Sequence, residues 1–145
     1  MNTRSRLLLA LVALAAALSS RPAAASVQLG LGADYWFDPE VGALQVTLAV
    51  DRPLAKRTTI GGRFGLLLTS GPNDVAVPID LRLRIRGRQL YFDGLVGPWI
   101  FFGDDPLRIH AALGFGILSG GMSLGLEVGW VDPSAIAGIR LAFRL

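Results

Sequence analysis

From Val75 to Arg86 the chain alternates apolar and polar residues almost one for one. Val75, Val77, Ile79, Leu81, Leu83 and Ile85 share one parity, and Asp80, Arg82, Arg84 and Arg86 share the other. A period of two sends successive side chains to opposite faces of a strand. Comparable stretches divide the chain into eight segments, near 27–37, 42–52, 58–69, 74–86, 89–102, 107–118, 121–131 and 134–145. Between them stand Asp38, Pro39 and Glu40, then 53–57, Ser70 to Asn73, Gly87 and Arg88, Gly103 to Pro106, Ser119 to Gly121, and Asp132 with Pro133. Gly, Pro, Asn and Asp turn chains through their φ preferences and local hydrogen bonds. No connection has room for a helical crossover, so neighbouring strands are expected to pair antiparallel.

The same parity rule separates two faces in seven of the segments. Leu44, Val46, Leu48 and Val50 oppose Gln45, Thr47 and Asp51; Ile60, Phe64, Leu66 and Leu68 oppose Gly61, Arg63 and Gly65. Leu124, Leu126, Val128 and Trp130 oppose Ser123, Gly125, Glu127 and Gly129, and Ile139, Leu141, Phe143 and Leu145 oppose Gly138, Arg140 and Arg144. The apolar face carries no charge. Segment five, Leu90 to Phe102, is nearly continuous in apolar residues, and its register stays open. Pro78 and Pro98 each remove a ladder donor, so a bulge or local break is expected at both.

Composition changes the picture at the N-terminus. Arg4 and Arg6 precede an apolar run from Leu7 to Leu18, and Ala23 and Ala25 have the A-x-A spacing of a cleavage site. That run is shorter than the ~20 residues a membrane-spanning helix needs. Residues 1–25 are therefore expected to be a cleavable secretory signal peptide and 26–145 the folded domain. Arg4, Arg6 and Arg21 fall in the leader, so the domain keeps 11 of the 14 basic residues against 11 acidic ones. A net charge of zero removes the basic excess that would suggest nucleic acid, and none is expected as a partner. There is no cysteine, hence no disulfide and no lipid-anchored cysteine.

Alternation alone fits a barrel of either polarity. Glycine and arginine dominate the polar face, which suits the crowded lumen of eight strands better than a solvated exterior. Hairpin registers would set Arg63 opposite Asp80, Arg82 opposite Asp93, and Glu127 diagonally near Arg140. Charges buried in this way persist when paired. Tyr35, Trp36, Phe37, Trp99, Phe101, Phe102 and Trp130 gather towards one rim, and Tyr91, Phe92, Phe115 and Phe143 towards the other, as in interfacial girdles. Each arginine turned towards mid-bilayer lipid would cost about 2–4 kcal/mol. Each aliphatic turned towards water forfeits about 1.5–3 kcal/mol. Apolar-out in lipid meets both demands. The fold expected is all-β, an eight-stranded antiparallel up-and-down transmembrane β-barrel with short connections. The alternative is a soluble periplasmic barrel of lipocalin type that holds a small apolar ligand.

In this arrangement the chain resembles the small eight-stranded outer-membrane β-barrels of Gram-negative bacteria. The most specific stretch is the end, Gly138-Ile-Arg-Leu141-Ala-Phe143-Arg-Leu145, which is similar to the C-terminal insertion signal of that class. The signal's residues here are Gly138, Leu141 and Phe143, with Phe143 two positions short of the chain end. The resemblance implies residence among outer-membrane lipids, insertion by the barrel-assembly machinery, and periplasmic termini. The connections with Arg52, Lys56, Arg57, Arg86 and Arg88 would then face the periplasm, and those with Asp38, Glu40, Asp74, Asp104, Asp105 and Asp132 the outside. Such an acidic rim could hold divalent cations.

Candidate chemistry is sparse. His110 is the only histidine, and it would lie diagonally from Glu127 with Ser123 on the same neighbouring strand. A hydrolase needs nucleophile, base and orienting acid within hydrogen-bond reach. Ser123 would sit two rows from Glu127, so His110 is read as a lumenal side chain satisfied by Glu127. Gly30, Gly32, Gly61 and Gly62 lie inside strands and read as lumen fillers rather than phosphate loops. Neither a metal nor a cofactor is expected, and no catalysis. Large conductance is not expected of eight strands with a charge-filled lumen, nor receptor work of such short loops. The expected lumenal charge network is Arg63, Asp80, Arg82, Asp93, His110, Glu127 and Arg140, in a structural or lipid-interacting barrel.

Overall fold

The computed structural model describes residues 25–71, 75–103 and 105–145. The expected signal peptide lies, except for Ala25, outside the described residues. Eight strands follow one another: β1 (Ser26–Phe37), β2 (Glu40–Ala55), β3 (Thr58–Thr69), β4 (Val75–Arg86), β5 (Leu90–Phe101), β6 (Leu107–Ser119), β7 (Met122–Val131) and β8 (Ser134–Arg144). Each pairs antiparallel with the next, and β1 pairs with β8 from Gln28↔Arg144 to Trp36↔Ile136. The sheet closes on itself, so no strand edge is left unpaired. This is the eight-stranded up-and-down barrel that the alternation predicts.

The faces follow parity. In β4, Ala76, Pro78, Asp80, Arg82 and Arg84 are buried in the barrel, while Ile79, Leu81, Leu83 and Ile85 are exposed on its outside. The β6–β7 turn places Gly120 at φ 58°, a left-handed conformation that glycine adopts without steric cost. β2 runs past its expected end to Ala55, and a register shift between Pro53 and Ala55 leaves Lys56 and Arg57 as the turn.

The prolines interrupt pairing without a bulge. The β3–β4 ladder skips between Phe64↔Ile79 and Leu67↔Ala76, beside Pro78. The β4–β5 ladder skips between Pro78↔Trp99 and Leu81↔Val96, beside Pro98. Pairing resumes in the same register each time. A missing N–H therefore opens the ladder locally but inserts no residue.

Two sequence expectations need correction. Asp93 stands opposite Arg84, not Arg82, whose partner across the ladder is Leu95. The Gly87 N–H donates to the Leu90 carbonyl at 2.7 Å, so Arg88 and Gln89 form the turn tip and the hairpin is centred one residue later than expected. That moves each opposite partner by two positions and leaves the faces unchanged. The aromatic rims are also thinner than expected. Trp36, Trp99, Phe101 and Tyr91 point into the barrel and are buried. The open register of β5 is settled by this: Tyr91, Asp93, Leu95, Trp99 and Phe101 face inward, and Leu90, Phe92, Val96 and Ile100 outward. Of the expected rim aromatics, Tyr35, Phe37, Phe102, Trp130, Phe92 and Phe115 remain exposed on the outside, with Phe143 half-buried there.

Candidate functional site

The interior of the barrel is stacked in three layers, each set by inward parity of several strands. At the end carrying the β1–β2, β5–β6 and β7–β8 turns, Trp36, Leu67, Ala76, Trp99, Phe101, Val131 and Ile136 form an apolar plug. The Trp36 ring meets Phe101 edge-on at 5.8 Å between centroids, and the Arg108 guanidinium lies over Phe101 at 4.9 Å. Ser134 Oγ donates to the Asp38 carbonyl and ties two of the turns above the plug.

Beneath the plug, Asp80 is a hub. Its carboxylate accepts from Arg63 Nη2 at 2.7 Å and from Trp99 Nε1 at 3.1 Å, and one oxygen lies 2.6 Å from His110 Nδ1. Arg63 continues across the lumen to Glu127, with Nη1 2.6 Å from Oε2. Glu127 also takes Arg140 Nη2 at 2.8 Å, and the same nitrogen lies 2.6 Å from Asp34. Gln45 completes this layer by donating to Asp34 at 2.5 Å. Gly138 leaves the space that the Asp34 and Arg140 side chains occupy, since a Cβ there would stand 2.6 Å from Arg140 Nη1.

The third layer lies towards the opposite mouth. Arg82 is paired to Asp51 through Nε and Nη2. Arg84 grips Asp93 with two parallel bonds of 2.7 and 2.6 Å, and its guanidinium lies 4.1 Å above the Tyr91 ring. Gln28 Oε1 accepts from both Arg82 and Arg84. Bidentate arginine–carboxylate pairs combine two charge-assisted hydrogen bonds with a fixed geometry.

Arg63, Asp80, His110, Glu127 and Arg140 thus converge in one connected cluster. Arg82 and Asp93 sit in the layer below it, each with a different partner from the one expected. His110 takes Asp80 as its near partner, while its Nε2 is 3.8 Å from Glu127. The reason is the narrowness of the lumen. Side chains reach across it, β6 to β4 and β3 to β7, whereas sequence registers reveal only adjacent strands. Asp34, Asp51 and Arg84 have inward parity in the sequence but lie outside the expected network: Asp51 meets Arg82 two strands away, Asp34 meets Arg140 across the β1–β8 seam, and Arg84 meets Asp93 through the shifted β4–β5 hairpin. Ser123 is four residues from Glu127 along β7, about 13 Å at strand rise, and pairs with Leu118 and Ala142. Leu141 and Phe143 are half-buried on the outer side of β8, opposite Leu31 and Leu29 of β1.

The lumen is nearly full. A cavity of about 30 Å³ remains among Arg63, Arg82, Arg84, Tyr91, Asp93, Glu127 and Arg140, room for on the order of one or two waters. Larger concavities of about 520 and 650 Å³ open on the outer, apolar face. Among the described residues no three His, Asp or Glu side chains converge as metal ligands. Two acids of the expected cation-binding rim, Asp74 and Asp104, lie outside the described residues.

No protein-family model matches the chain, and no curated protein does. Among solved structures, a de novo designed transmembrane β-barrel is similar at 14% identity and TM-score 0.60, covering 83% of this chain and 95% of its own. The solution structure of the designed barrel TMB2.3 is similar at 15% identity and TM-score 0.57, covering 84% and 95%. Closure of eight antiparallel strands, with apolar residues outside and ion pairs within, is the fold of a small transmembrane β-barrel.

Proposed function

We propose that this protein is an integral outer-membrane β-barrel, non-enzymatic and closed to bulk solutes, with a structural or lipid-interacting role. One observation carries this reading: the outer face of every strand is apolar, while five acids and four arginines face each other inside. The exposed side includes Leu44, Leu66, Leu81, Leu113, Leu124 and Ile139. A soluble monomer rarely shows a contiguous apolar patch beyond about 300–600 Å², and this one encircles the barrel. Hydrocarbon is the solvent that suits it.

The filled lumen argues against the soluble ligand carrier. An apolar guest would have to displace the plug or strip arginines of their carboxylates. Catalysis is disfavoured by the distance of Ser123 from the His110 cluster. Export by the N-terminal segment and insertion by the assembly machinery through Gly138, Leu141 and Phe143 belong to the same proposal.

The test is partition. The processed chain is expected in the outer-membrane fraction, resistant to carbonate extraction, and to migrate faster on gels unheated than boiled. Recovery as a detergent-free soluble monomer would overturn the reading.

A further inference from the structure

At the mouth opposite the plug, the β2–β3 and β4–β5 turns enclose an open groove of about 280 Å³. It is lined by Lys56, Arg57, Thr58, Thr59, Arg86 and Arg88, among others, and by no acid. The two turns are fixed to each other, because Arg86 N donates to the Arg57 carbonyl at 2.8 Å. The cations are therefore presented by a braced frame rather than by a loose loop. Lys56, Arg57 and Arg88 are exposed. Arg86 is partly exposed, and its Nη2 stands 4.0 Å from Asp51, whose carboxylate is already taken by Arg82. Arg86 Nε and Thr59 Oγ1 have no hydrogen-bond partner within the protein.

We propose that this groove binds the phosphate of an anionic phosphoglyceride headgroup. Four cations, of which only Arg86 stands near an acid, and that one shared with Arg82, suit a phosphate, and arginine offers it paired donors. The apolar strip beneath selects a lipid over free phosphate. Ile60 pairs with Leu83, and Thr58 with Ile85, so the exposed side chains of Ile60, Leu83 and Ile85 form a ribbon on the outer wall leading up to the groove. A lipid whose phosphate sits between the turns lays its acyl chains along that ribbon. The inference rests on the membrane reading above.

The test uses the folded 26–145 barrel in dodecyl maltoside micelles, titrated with short-chain phosphatidylglycerol, the matching phosphatidylcholine, or inorganic phosphate. The readout is the amide resonances of Thr58, Thr59 and Gly87. Phosphatidylglycerol is expected to saturate these shifts at a concentration about tenfold or more below that of the other two probes. R86Q/R88Q is expected to weaken binding about tenfold or more, as loss of two charges beside an anionic headgroup implies. K56Q/R88Q, confined to exposed turn positions, is expected to weaken it several-fold with the fold intact. R108Q, at the other mouth, is expected to leave it unchanged. Undiminished binding by K56Q/R88Q overturns the site, and equal saturation by inorganic phosphate overturns its lipid character. A barrel that integrates into vesicles yet ignores phosphatidylglycerol removes this inference and leaves the membrane reading standing.

Discussion

Single residues in the lumen differ sharply in consequence, and Asp80 is the extreme case. It is fully buried and holds Arg63, His110 and Trp99 together. Removing one partner of a buried ion pair leaves the other charge uncompensated, at a cost of about 3–5 kcal/mol. Asp80→Asn is expected to lower folding stability in vesicles by that amount in urea titrations. Asp105 is largely exposed, and its pair with Arg108 spans 3.3 Å at the rim. Asp105→Asn is expected to change stability by about 1 kcal/mol or less in the same titration. The inward direction of Asp80, Arg82, Glu127 and Arg140 was legible in the sequence, since parity alone assigns it. The identity of each partner was only partly so. Arg63 and Asp80 face each other on adjacent strands, but the reach of Arg63 to Glu127 needs the closed barrel.

At the scale of elements, turns and small residues decide where strands meet. Strand limits agreed with the punctuation to within a few residues, because the turns fall where such residues cluster, as at Asp38-Pro39 and Asp132-Pro133, whereas single ones such as Pro78 and Pro98 stay inside strands. β5 resisted reading because its inner face is largely aromatic: Tyr91, Trp99 and Phe101 are as apolar as the side chains that look outward. Hydrophobicity cannot separate a plug from a girdle. The approach of β4 to β5 beside Pro98 brings Gly97 against the backbone of Ile79 and Asp80; a Cβ at Gly97 would stand 2.8 Å from Asp80 Cα. Gly94, three residues earlier on the same strand, has open space outside. Gly97→Ala is therefore expected to force the strands apart and cost about 1–3 kcal/mol or more. Gly94→Ala is expected to stay within about 0.5 kcal/mol of the parent. Urea midpoints of the two variants check the contrast.

For the whole molecule, layering of the interior sets permeability. An apolar plug of Trp36, Trp99 and Phe101 lies in series with two planes of ion pairs, and the space left between them is about 30 Å³. Hydrated ions do not fit such a path. Planar-bilayer recordings of the purified barrel are expected to show no steady conductance steps of porin size. Regular steps from the wild-type chain would mean that the layers part in the membrane.

Arg140 belongs to the last strand, yet it holds Asp34 of the first strand and Glu127 of the seventh. Glu127 is held in turn by Arg63, on the far wall. The Arg140–Asp34 link across the seam and the Arg63–Glu127 link across the lumen cannot form while the sheet is still an open ribbon. Asp34 and Glu127 thus gain their full set of partners only when the final strand docks against the first, which makes the C-terminal segment the latch of the barrel and couples its arrival to the ion pairs of the middle layer.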